Sequence, residues 1–468
     1  MPINSFLYPA KNVPGAYEVA NSCRFNENEY LVRDKTTATN VEDFTISVWV
    51  KRSVIADKSC IISSWGGDSN NTGSIYFTDG DKLTFEAQTS SSYSANGGVR
   101  KITTQVFRDV SSWSHLVFQK DDGVYKIYHN GTEITDFDTN TQSSGTNVFN
   151  NASGNTTIGL ENLASAGHPF KGYITEAVLI DGQALAPTSF GEFDEDSPTI
   201  WKPKNVSGLT FGNNGFYLDF EDSSNLGNDA SGGTDFTSNN LAATDQSTDT
   251  CTNNYSTIGS LFTGVNSPTY SEGNLQSYSN AAFTSVIPSS MGFASGKWYV
   301  ELKYAATTSN DNTGIGIGHD PASANQANTD QGGYSINYYA SNGYIDLYGS
   351  NGGTFSTYTV GDIIGIYMDI DNQKLYFSKN GTLQNSGTGL NITTSTTGFY
   401  YFQVADFTST SNYWTWQWNF GAGCPFTISS GNTDDNGHGN FEYSPNITGD
   451  STAKKFYACN TKNLAEFG

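Results

Sequence analysis

The chain has 468 residues, more than one hydrophobic core usually holds, so two large domains or about three ordinary ones are expected. Its 27 Tyr, 29 Phe and 49 Gly, with only 15% charged residues, favour β-structure over helices whose surfaces carry ion pairs. A formal net charge of −23 without a run of Lys or Arg argues against nucleic-acid binding, and no stretch approaches the ~20 apolar residues of a membrane span.

The N-terminal residues 1–16 contain three prolines and predict an extended arm, without the basic and apolar runs of a secretion signal. Residues 17–195 then repeat short β phrases such as DFTISVWVKR, SHLVFQK and GYITEAVLI, separated by Gly, Asn or Asp. This spacing predicts an antiparallel β-sandwich. Five scattered cysteines provide no disulfide framework, so we expect free thiols.

Residues 196–267 change in composition, with many Asn, Asp, Ser, Thr and Gly and few apolar residues. They predict a long irregular connector. The aromatic phrase GFYLDF, residues 215–220, indicates that part of this connector lies along a neighbouring domain.

The β phrases return over residues 268–424, which predict a second sandwich, and the tail 425–468 is expected to pack on its sheet. In the phrase WTWQWNF, alternation places Trp414, Trp416 and Trp418 on one strand face, which we predict to be the inner face. The sequence thus predicts an all-β fold of two tandem sandwiches.

Two phrases of the sequence are nearly the same, VYKIYHNGTEI at 124–134 and KLYFSKNGTLQ at 374–384. An Asn-Gly pair between two alternating runs favours a type I′ turn, which needs positive φ at both residues. We therefore predict one hairpin in each sandwich.

The second block resembles the SPRY domain through GKWYVELKY (296–304), GIGIG (314–318), GDIIGIYMDIDNQKLYFSKNGTL (361–383) and WTWQWNFG (414–421). The resemblance implies a bent two-sheet sandwich that recognises a partner through loops at one edge and has no catalytic residues. It also implies core roles for Trp298, Asp369 and Phe377.

The first block resembles the concanavalin A-like, laminin-G-type jelly roll through FTISVWVK (44–51), WSHLVFQKDDGVYKIYHNGTEI (113–134) and FKGYITEAVLIDGQAL (170–185). This family implies glycan or protein binding, in some members with calcium. For such a site the loop DSSNLGNDASGGTD provides Asp222, Asp229 and Asp235 as candidate calcium ligands, and the alternative is a solvated turn.

The phrase GFYLDFEDSSNLGNDASGGTDFTSNNL, together with these two modules, is similar to virion proteins of marine tailed bacteriophages. The similarity implies a tail-fibre, capsid-fibre or decoration protein at the virion surface. Its expected partners are other virion proteins and a host surface glycan or protein, and a homo-oligomer, with a trimer favoured, would raise avidity.

Catalytic patterns are weak in this sequence, which predicts a protein that is not an enzyme. A glycoside hydrolase needs two carboxyl groups placed across the scissile bond, but EFDEDSP offers Glu192 and Asp194 without the final Glu of the strand motif. The five histidines show no zinc spacing. A glycan-degrading enzyme on the first sandwich and a purely structural decoration protein remain the alternatives.

The strongest recognition signal is GGYSINYYASNGYIDLYGSNGGTFSTYTV, residues 332–360, where tyrosines stand among Asn, Ser and Gly. Rigid amphipathic rings beside adaptable polar residues are typical of binding loops. Alternation places Tyr344, Asp346 and Tyr348 on one side, and with Tyr338 they form the predicted ligand site.

Overall fold

A computed structural model of the chain describes residues 17–89, 91–94, 97–145, 147–151, 153–162, 166–261, 268–279, 285–308, 313–319, 334–406, 413–448 and 454–468. The predicted N-terminal arm, 1–16, lies outside these residues. The chain divides into two compact units, and the boundary lies between Thr252 and Asn253. Strands make up 46% of the chain and helix 4%, which confirms the predicted all-β class.

The first unit consists mainly of short strands. They are β1 (Ser22–Phe25), β2 (Tyr30–Asp34), β3 (Phe44–Arg52), β4 (Ser59–Trp65), β5 (Thr72–Phe77), β6 (Lys82–Gln88), β7 (Val99–Val106), β8 (Ser114–Asp121), β9 (Val124–His129), β10 (Thr132–Glu133), β11 (Phe137–Gln142), β12 (Asn155–Ile158), β13 (Glu161–Asn162), β14 (Ala166–Gly167), β15 (Gly172–Asp181), β16 (Gly191–Phe193), β17 (Trp201–Pro203), β18 (Phe216–Leu218), β19 (Thr237–Asn239) and β20 (Gln246–Ser247). Two 3-10 helices, Pro187–Ser189 and Ala243–Asp245, accompany them.

Two antiparallel sheets of the first unit enclose its core. One has the order β10-β9-β8-β3-β15-β1-β20, with β18 also on β15, and the other has the order β11-β7-β6-β5-β4-β12-β2-β19. Strand alternation turns one row of apolar side chains from each sheet inward. Phe118 of β8 and Phe85 of β6 meet there across the two sheets with ring centroids 5.3 Å apart. The first predicted sandwich is therefore present.

The segment predicted as a connector is part of the first unit as far as Thr252. Its strands β18, β19 and β20 pair with β15, β2 and β1. Phe211 and Tyr217 from this segment bury against Val178 on the outer face of β15. Because β15 carries apolar side chains on both faces, each face needs a cover, and the segment covers one of them. The expectation that GFYLDF lies along a neighbouring domain is therefore confirmed, but residues 196–252 are part of the first unit and not a connector between two domains. Residues 262–267 of the predicted connector lie outside the described residues.

The second unit has the strands β21 (Thr269–Ser271), β22 (Gln276–Ser279), β23 (Ser285–Pro288), β24 (Lys297–Thr307), β25 (Thr313–Gly318), β26 (Ser335–Tyr339), β27 (Tyr344–Leu347), β28 (Ser350–Thr354), β29 (Ile363–Asp369), β30 (Lys374–Lys379), β31 (Thr382–Leu383), β32 (Leu390–Asn391), β33 (Tyr401–Asp406), β34 (Trp414–Asn419) and β35 (Tyr457–Ala458). A 3-10 helix spans Asn385–Gly387. The helix α1 (Thr461–Phe467) follows β35, and none of the described helices is long and apolar enough to span a membrane.

Two sheets also enclose the core of the second unit. Their orders are β21-β22-β34-β24-β29-β30-β31, with β32 on β30 and β35 on β24, and β23-β33-β25-β26-β27-β28. Trp414, Trp416 and Trp418 are all buried in this core, so the predicted inner face of β34 is confirmed. Trp298 and Phe377, expected to have core roles, are buried in the same cluster.

The tail after residue 425 packs on the outer face of this second sandwich. Phe441 and Phe456 bury against Tyr299 and Tyr367 of β24 and β29. Beside them, the carboxylate of Glu301 accepts hydrogen bonds from four donors, including the backbone N–H of Tyr443 at 2.7 Å. The tail is therefore fixed by apolar burial and by one buried acid.

Both predicted Asn-Gly turns are present. Asn130 and Gly131 have φ of 47° and 76°, and Asn380 and Gly381 have φ of 47° and 77°. The first turn joins β9 to β10 and the second joins β30 to β31, both antiparallel. Positive φ at both positions is what a type I′ hairpin requires, so the prediction is confirmed.

Candidate functional site

Two adjoining cavities of the first unit lie between the end of β7 in one sheet and the β9–β10 turn in the other. Their volumes are about 240 and 570 Å³, and they share Gln105, His129 and Asn130. We call the two together the hairpin groove. Clefts with apolar walls and a few placed polar groups are the usual form of small-ligand sites.

One wall of the hairpin groove is an exposed aromatic ring. Phe193 of β16 lines the groove, and 45% of this residue is exposed. The buried ring of Trp201 contacts it in an edge-to-face arrangement, with the two ring centroids 4.9 Å apart. Trp201 is fixed in turn, because its Nε1 donates to Nδ1 of His115 at 2.9 Å and His115 stacks on Trp49. Phe193 is therefore a rigid apolar platform at the surface.

Three charged side chains, those of Arg52, Arg108 and Asp109, lie in the wall of the smaller cavity. The side chain of Arg108 is 60% exposed, and its Nε donates to Oδ2 of the buried Asp81 at 2.9 Å. Desolvation acts to raise the pKa of Asp109, but hydrogen bonds from Ser111 and Ser112 outweigh it and hold this pKa below its usual value. The groove thus presents an oriented guanidinium and an ionised carboxylate.

The residues shared by both cavities supply neutral polar groups. Nε2 of Gln105 donates to Nδ1 of His129 at 3.1 Å, because an amide nitrogen does not accept, and this leaves the imidazole proton on Nε2. Burial lowers the pKa of His129, so the ring is uncharged at neutral pH. Amide, imidazole and guanidinium groups beside an aromatic ring suit a ligand that has hydroxyl groups and an apolar face.

The carboxyl groups that could serve as general acids lie elsewhere. Burial raises the pKa of Glu176 and of Glu301 to about 7. Neither residue lines the hairpin groove, and the carboxylate oxygens of both accept hydrogen bonds from tyrosine hydroxyls. A raised pKa is a candidate signal for catalysis, but here it comes with structural contacts.

The predicted tyrosine site is brought together only in part. Tyr338 lies in the core of the second unit, with 0% exposure and its ring 4.9 Å from that of Tyr358, so the expectation that it contacts a ligand is wrong. The reason is register: Tyr338 pairs with Ile345, and both side chains point inward. Tyr344 is half-buried on the opposite face of β27.

Asp346 and Tyr348 do not continue the exposed face that alternation predicts. Asp346 is only 6% exposed, and its Oδ1 accepts from the backbone N–H of Gly349 at 2.9 Å. Tyr348 follows the end of β27 with φ of 55°, and its hydroxyl accepts from the backbone N–H of Thr393 at 2.9 Å. The strand ends before Tyr348, so period-2 alternation no longer applies to it.

The predicted calcium ligands are not gathered around one position. Oδ2 of Asp229 lies 2.8 Å from a guanidinium nitrogen of Arg33, and Oδ2 of Asp235 accepts from the Asn225 amide at 2.8 Å. Asp222 accepts hydrogen bonds within its own turn. Among the described residues, no cluster of three or more His, Cys, Asp or Glu side chains is suited to a metal. These three aspartates stabilise a loop, and the predicted calcium site is not formed.

The hairpin groove could not be found from local patterns, because its walls come from distant parts of the chain. The signal that was present is an aromatic residue between two acids, Glu192, Phe193 and Asp194, in a turn-rich phrase. Asp194 itself accepts from the backbone N–H of Ser197 at 2.9 Å and shapes that turn.

Comparison with protein families supports the division into two modules. Residues 25–188 match the model described as the concanavalin A-like lectin/glucanases superfamily, and residues 297–412 match the SPRY domain model. The chain contains a concanavalin A-like domain and a SPRY domain. Most of the hairpin groove lies in the concanavalin A-like domain, while Phe193 follows its matched residues. No curated protein matches the chain.

Several solved structures are similar to parts of the chain. The SPRY domain of human HERC1 has 16% identity and a TM-score of 0.28, over 34% of this chain and 94% of that one. A heptameric SAP-like pentraxin from Limulus polyphemus has 17% identity and a TM-score of 0.28, over 36% and 80%. Domain 4 of AbnA, a GH43 arabinanase from Geobacillus stearothermophilus in complex with arabinotriose, has 25% identity and a TM-score of 0.25, over 33% and 65%. These likenesses are partial, so a ligand can be inferred only from this chain's own residues.

Proposed function

We propose that this chain is a non-enzymatic binding protein that holds a saccharide in the hairpin groove of its concanavalin A-like domain. The exposed ring of Phe193, supported by Trp201, carries this proposal. A sugar ring offers C–H groups that pack on an aromatic face and hydroxyl groups that pair with Arg108, Asp109 and Gln105.

The partner in this proposal is a host surface glycan, or a protein, and the chain acts at the surface of a phage virion. The virion setting rests on the similarity of the phrase at 215–241 to virion proteins. A site that binds with millimolar to micromolar affinity, about −4 to −8 kcal/mol, is sufficient when a homo-oligomer such as a trimer presents several copies. Imaging of the labelled chain in purified particles tests this setting, and its absence from them contradicts it.

A second contact surface of the proposal lies on the SPRY domain around Tyr344 and Tyr348. Tyr344 is half-buried, with its ring 6.0 Å from that of Tyr339, and so offers a partly exposed aromatic face. Loss of cell binding in Tyr344→Ala and Tyr348→Ala supports this surface, and unchanged binding removes both residues from it.

The deciding experiment measures binding of the full chain to an immobilised panel of neutral and acidic glycans. We expect Phe193→Ala to weaken binding about tenfold or more, since it removes the stacking ring. Val124→Ala is the matched control, because Val124 is 46% exposed in the same unit but does not line the groove. Equal losses in the two variants, or no loss in Phe193→Ala, contradict the site.

The non-enzymatic part of the proposal has its own test. The purified chain is incubated with the glycans that it binds, and the products are separated by chromatography. Release of oligosaccharides contradicts the proposal and favours a glycan-degrading enzyme. Particle binding without any glycan or cell binding favours a structural decoration protein instead.

A further inference from the structure

A separate cavity lies in the second unit, where β24 begins, β29 ends and the tail passes over the sheet. Its volume is about 670 Å³, and its wall includes Lys297, Lys374, Lys454 and Lys455. We call it the lysine groove. Small-ligand pockets usually have volumes of ~300–1,000 Å³, so this cavity is of a suitable size.

The charge of the lysine groove is opposite to that of the chain. Four lysines and two aspartates, Asp369 and Asp371, line it, and Asp435 pairs with one of the lysines from outside the wall, giving 4 − 3 = +1, whereas the whole chain has a formal charge of −23. At physiological salt the Debye length is ~8 Å, so acids farther away are screened from a ligand in the groove. Asp434, Asp435 and Glu466 lie close enough to act on Tyr457 of the wall. The field is therefore most favourable to an anion at Lys374, whose acceptor is the neutral amide of Asn391.

The lysines differ in how far their charge is compensated. Nζ of Lys297 lies 3.0 Å from Oδ2 of the buried Asp369, so this pair is neutral as a whole. Lys455 pairs with Asp435, outside the groove wall. Lys374 donates to the amide oxygen of Asn391, a neutral acceptor, which leaves its positive charge available to a ligand.

An aromatic face lies beside these cations. The rings of Tyr457 and Phe467, both half-buried and both in the groove wall, stack at a centroid distance of 3.8 Å and an angle of 9°. Helix α1 carries Phe467, and its N-cap Asn460 accepts from the backbone N–H of Asn463 at 2.9 Å. The stacked pair is therefore held by the fold before any ligand arrives. Nζ of Lys454 lies 5.6 Å from the centre of the Tyr376 ring in the same wall.

We propose that the lysine groove is a second binding site that takes an acidic saccharide. A sugar ring packs on the Tyr457–Phe467 pair, and its carboxylate or sulfate group pairs with Lys374 and Lys454. The aromatic face is the reason for proposing a sugar ring, and the lysines are the reason for proposing an acidic group on it. The site lies in the other unit from the hairpin groove, so either site can fail in experiment without the other.

The test uses isothermal titration calorimetry on the full chain with trigalacturonate as the carboxylate probe and a heparin tetrasaccharide as the sulfate probe. We expect at least one of them to bind about tenfold or more tightly than neutral maltotriose. The double variant Lys374→Gln, Lys454→Gln should lose about tenfold or more in affinity. Raising NaCl from about 50 to about 500 mM should weaken binding, because it screens the ion pairs.

The control variant makes the same change in charge at two lysines of this unit outside the groove, Lys303→Gln with Lys379→Gln. Its affinity should stay within about twofold of wild type. The titrations are repeated in the Phe193→Ala background, where Lys374→Gln with Lys454→Gln should still lose about tenfold or more in affinity, which separates the two sites. Thermal melting of each variant checks that it is folded.

Three outcomes would overturn the proposal. Maltotriose binding as tightly as both acidic probes shows that the lysines do not select an acid. Pentaglutamate binding more tightly than either saccharide shows a site for an acidic peptide. Tyr457→Ala binding the saccharides as wild type does shows that the aromatic pair holds no sugar ring.

Discussion

The two units cover the outer face of a sheet with a later segment of their own chain, but they attach that cover differently. In the first unit the rings of Phe211 and Tyr217 stack 5° from parallel at a centroid distance of 6.2 Å, and the hydroxyl of Tyr217 donates to the buried carboxyl group of Glu176 on β15 at 2.8 Å. In the second unit the tail is also tied to the sheet by the buried carboxylate of Glu301. A buried acid thus ties each cover, but Glu176 accepts from a side-chain hydroxyl, whereas Glu301 accepts from two backbone N–H groups and so fixes the path of the tail itself.

The largest expected effect comes from removing the acid that ties the second cover. Glu301→Ala leaves the backbone N–H groups of Glu442 and Tyr443 and the amide of Asn419 without their acceptor. We expect the free energy of unfolding to fall by about 3–5 kcal/mol. Chemical denaturation measures the loss, and hydrogen exchange should show faster exchange in the tail.

The control for this change is Glu133→Ala, an exposed glutamate of the first unit with a side chain that is 43% exposed. It should change stability by no more than about 0.5 kcal/mol. A loss of under about 1 kcal/mol for Glu301→Ala would contradict an attachment of the tail's backbone through Glu301.

The next largest expected effect is a dependence of the first unit's stability on pH. Glu176 lies at a bulge of β15 with φ of 49°, and burial, with Asp219 and Glu221 nearby, raises its pKa to about 7. Its oxygens accept from the hydroxyls of Tyr17 and Tyr217 at 3.1 and 2.8 Å. The folded state therefore binds this proton more tightly than the unfolded state, whose pKa is near the usual 4.5.

The contribution of this proton to the free energy of unfolding is about 3 kcal/mol and is fully present below about pH 4.5. It is lost as the pH rises through the folded-state pKa of about 7. Glu176→Gln removes the titrating group, so its stability should fall less than that of wild type between pH 5 and pH 8. Glu301 titrates in the same range. Hydrogen exchange resolved by unit separates the two, and equal slopes for wild type and variant in the first unit would contradict this assignment.

A smaller effect distinguishes the two Asn-Gly turns. An added Cβ on Gly131 would lie 2.4 Å from the buried Trp201 ring, and one on Gly381 would lie 2.6 Å from the half-buried Tyr443 ring. Both glycines have positive φ and share that strain, but Trp201 is held by His115 and Tyr443 has more room to move.

Gly131→Ala should therefore lower the free energy of unfolding by about 2–3 kcal/mol, and Gly381→Ala should lower it by about 1 kcal/mol. Differential scanning calorimetry measures both. Gly208→Ala is the control, because an added Cβ there meets no atom within 4 Å and the residue lacks a positive φ. Equal losses at Gly131 and Gly381 would mean that backbone strain alone decides the cost.

The smallest effect concerns calcium. Because the carboxylate of Asp229 is paired with Arg33 and that of Asp235 with Asn225, about 1 mM calcium should raise the melting temperature by less than about 1 °C. The same measurement with EDTA is the control. A rise of several degrees that Asp235→Asn abolishes would restore the calcium site.

The sequence by itself determined the elements whose cause is local. Positive φ at the two Asn-Gly pairs and the alternation of Trp414, Trp416 and Trp418 follow from neighbouring residues, and so does the division into strands. These are steric and periodic properties that a few residues decide among themselves, and they were sufficient to predict two antiparallel sandwiches.

The tertiary structure decided which faces are covered and which side chains meet. Residues 196–252 look like a connector because they are polar, yet Phe211 and Tyr217 complete the first unit, and Tyr338 is buried because its register with Ile345 turns it inward. Phe193 reaches the hairpin groove through contacts between residues far apart in the chain. Such contacts depend on the packing of whole sheets, which no local pattern of residues specifies.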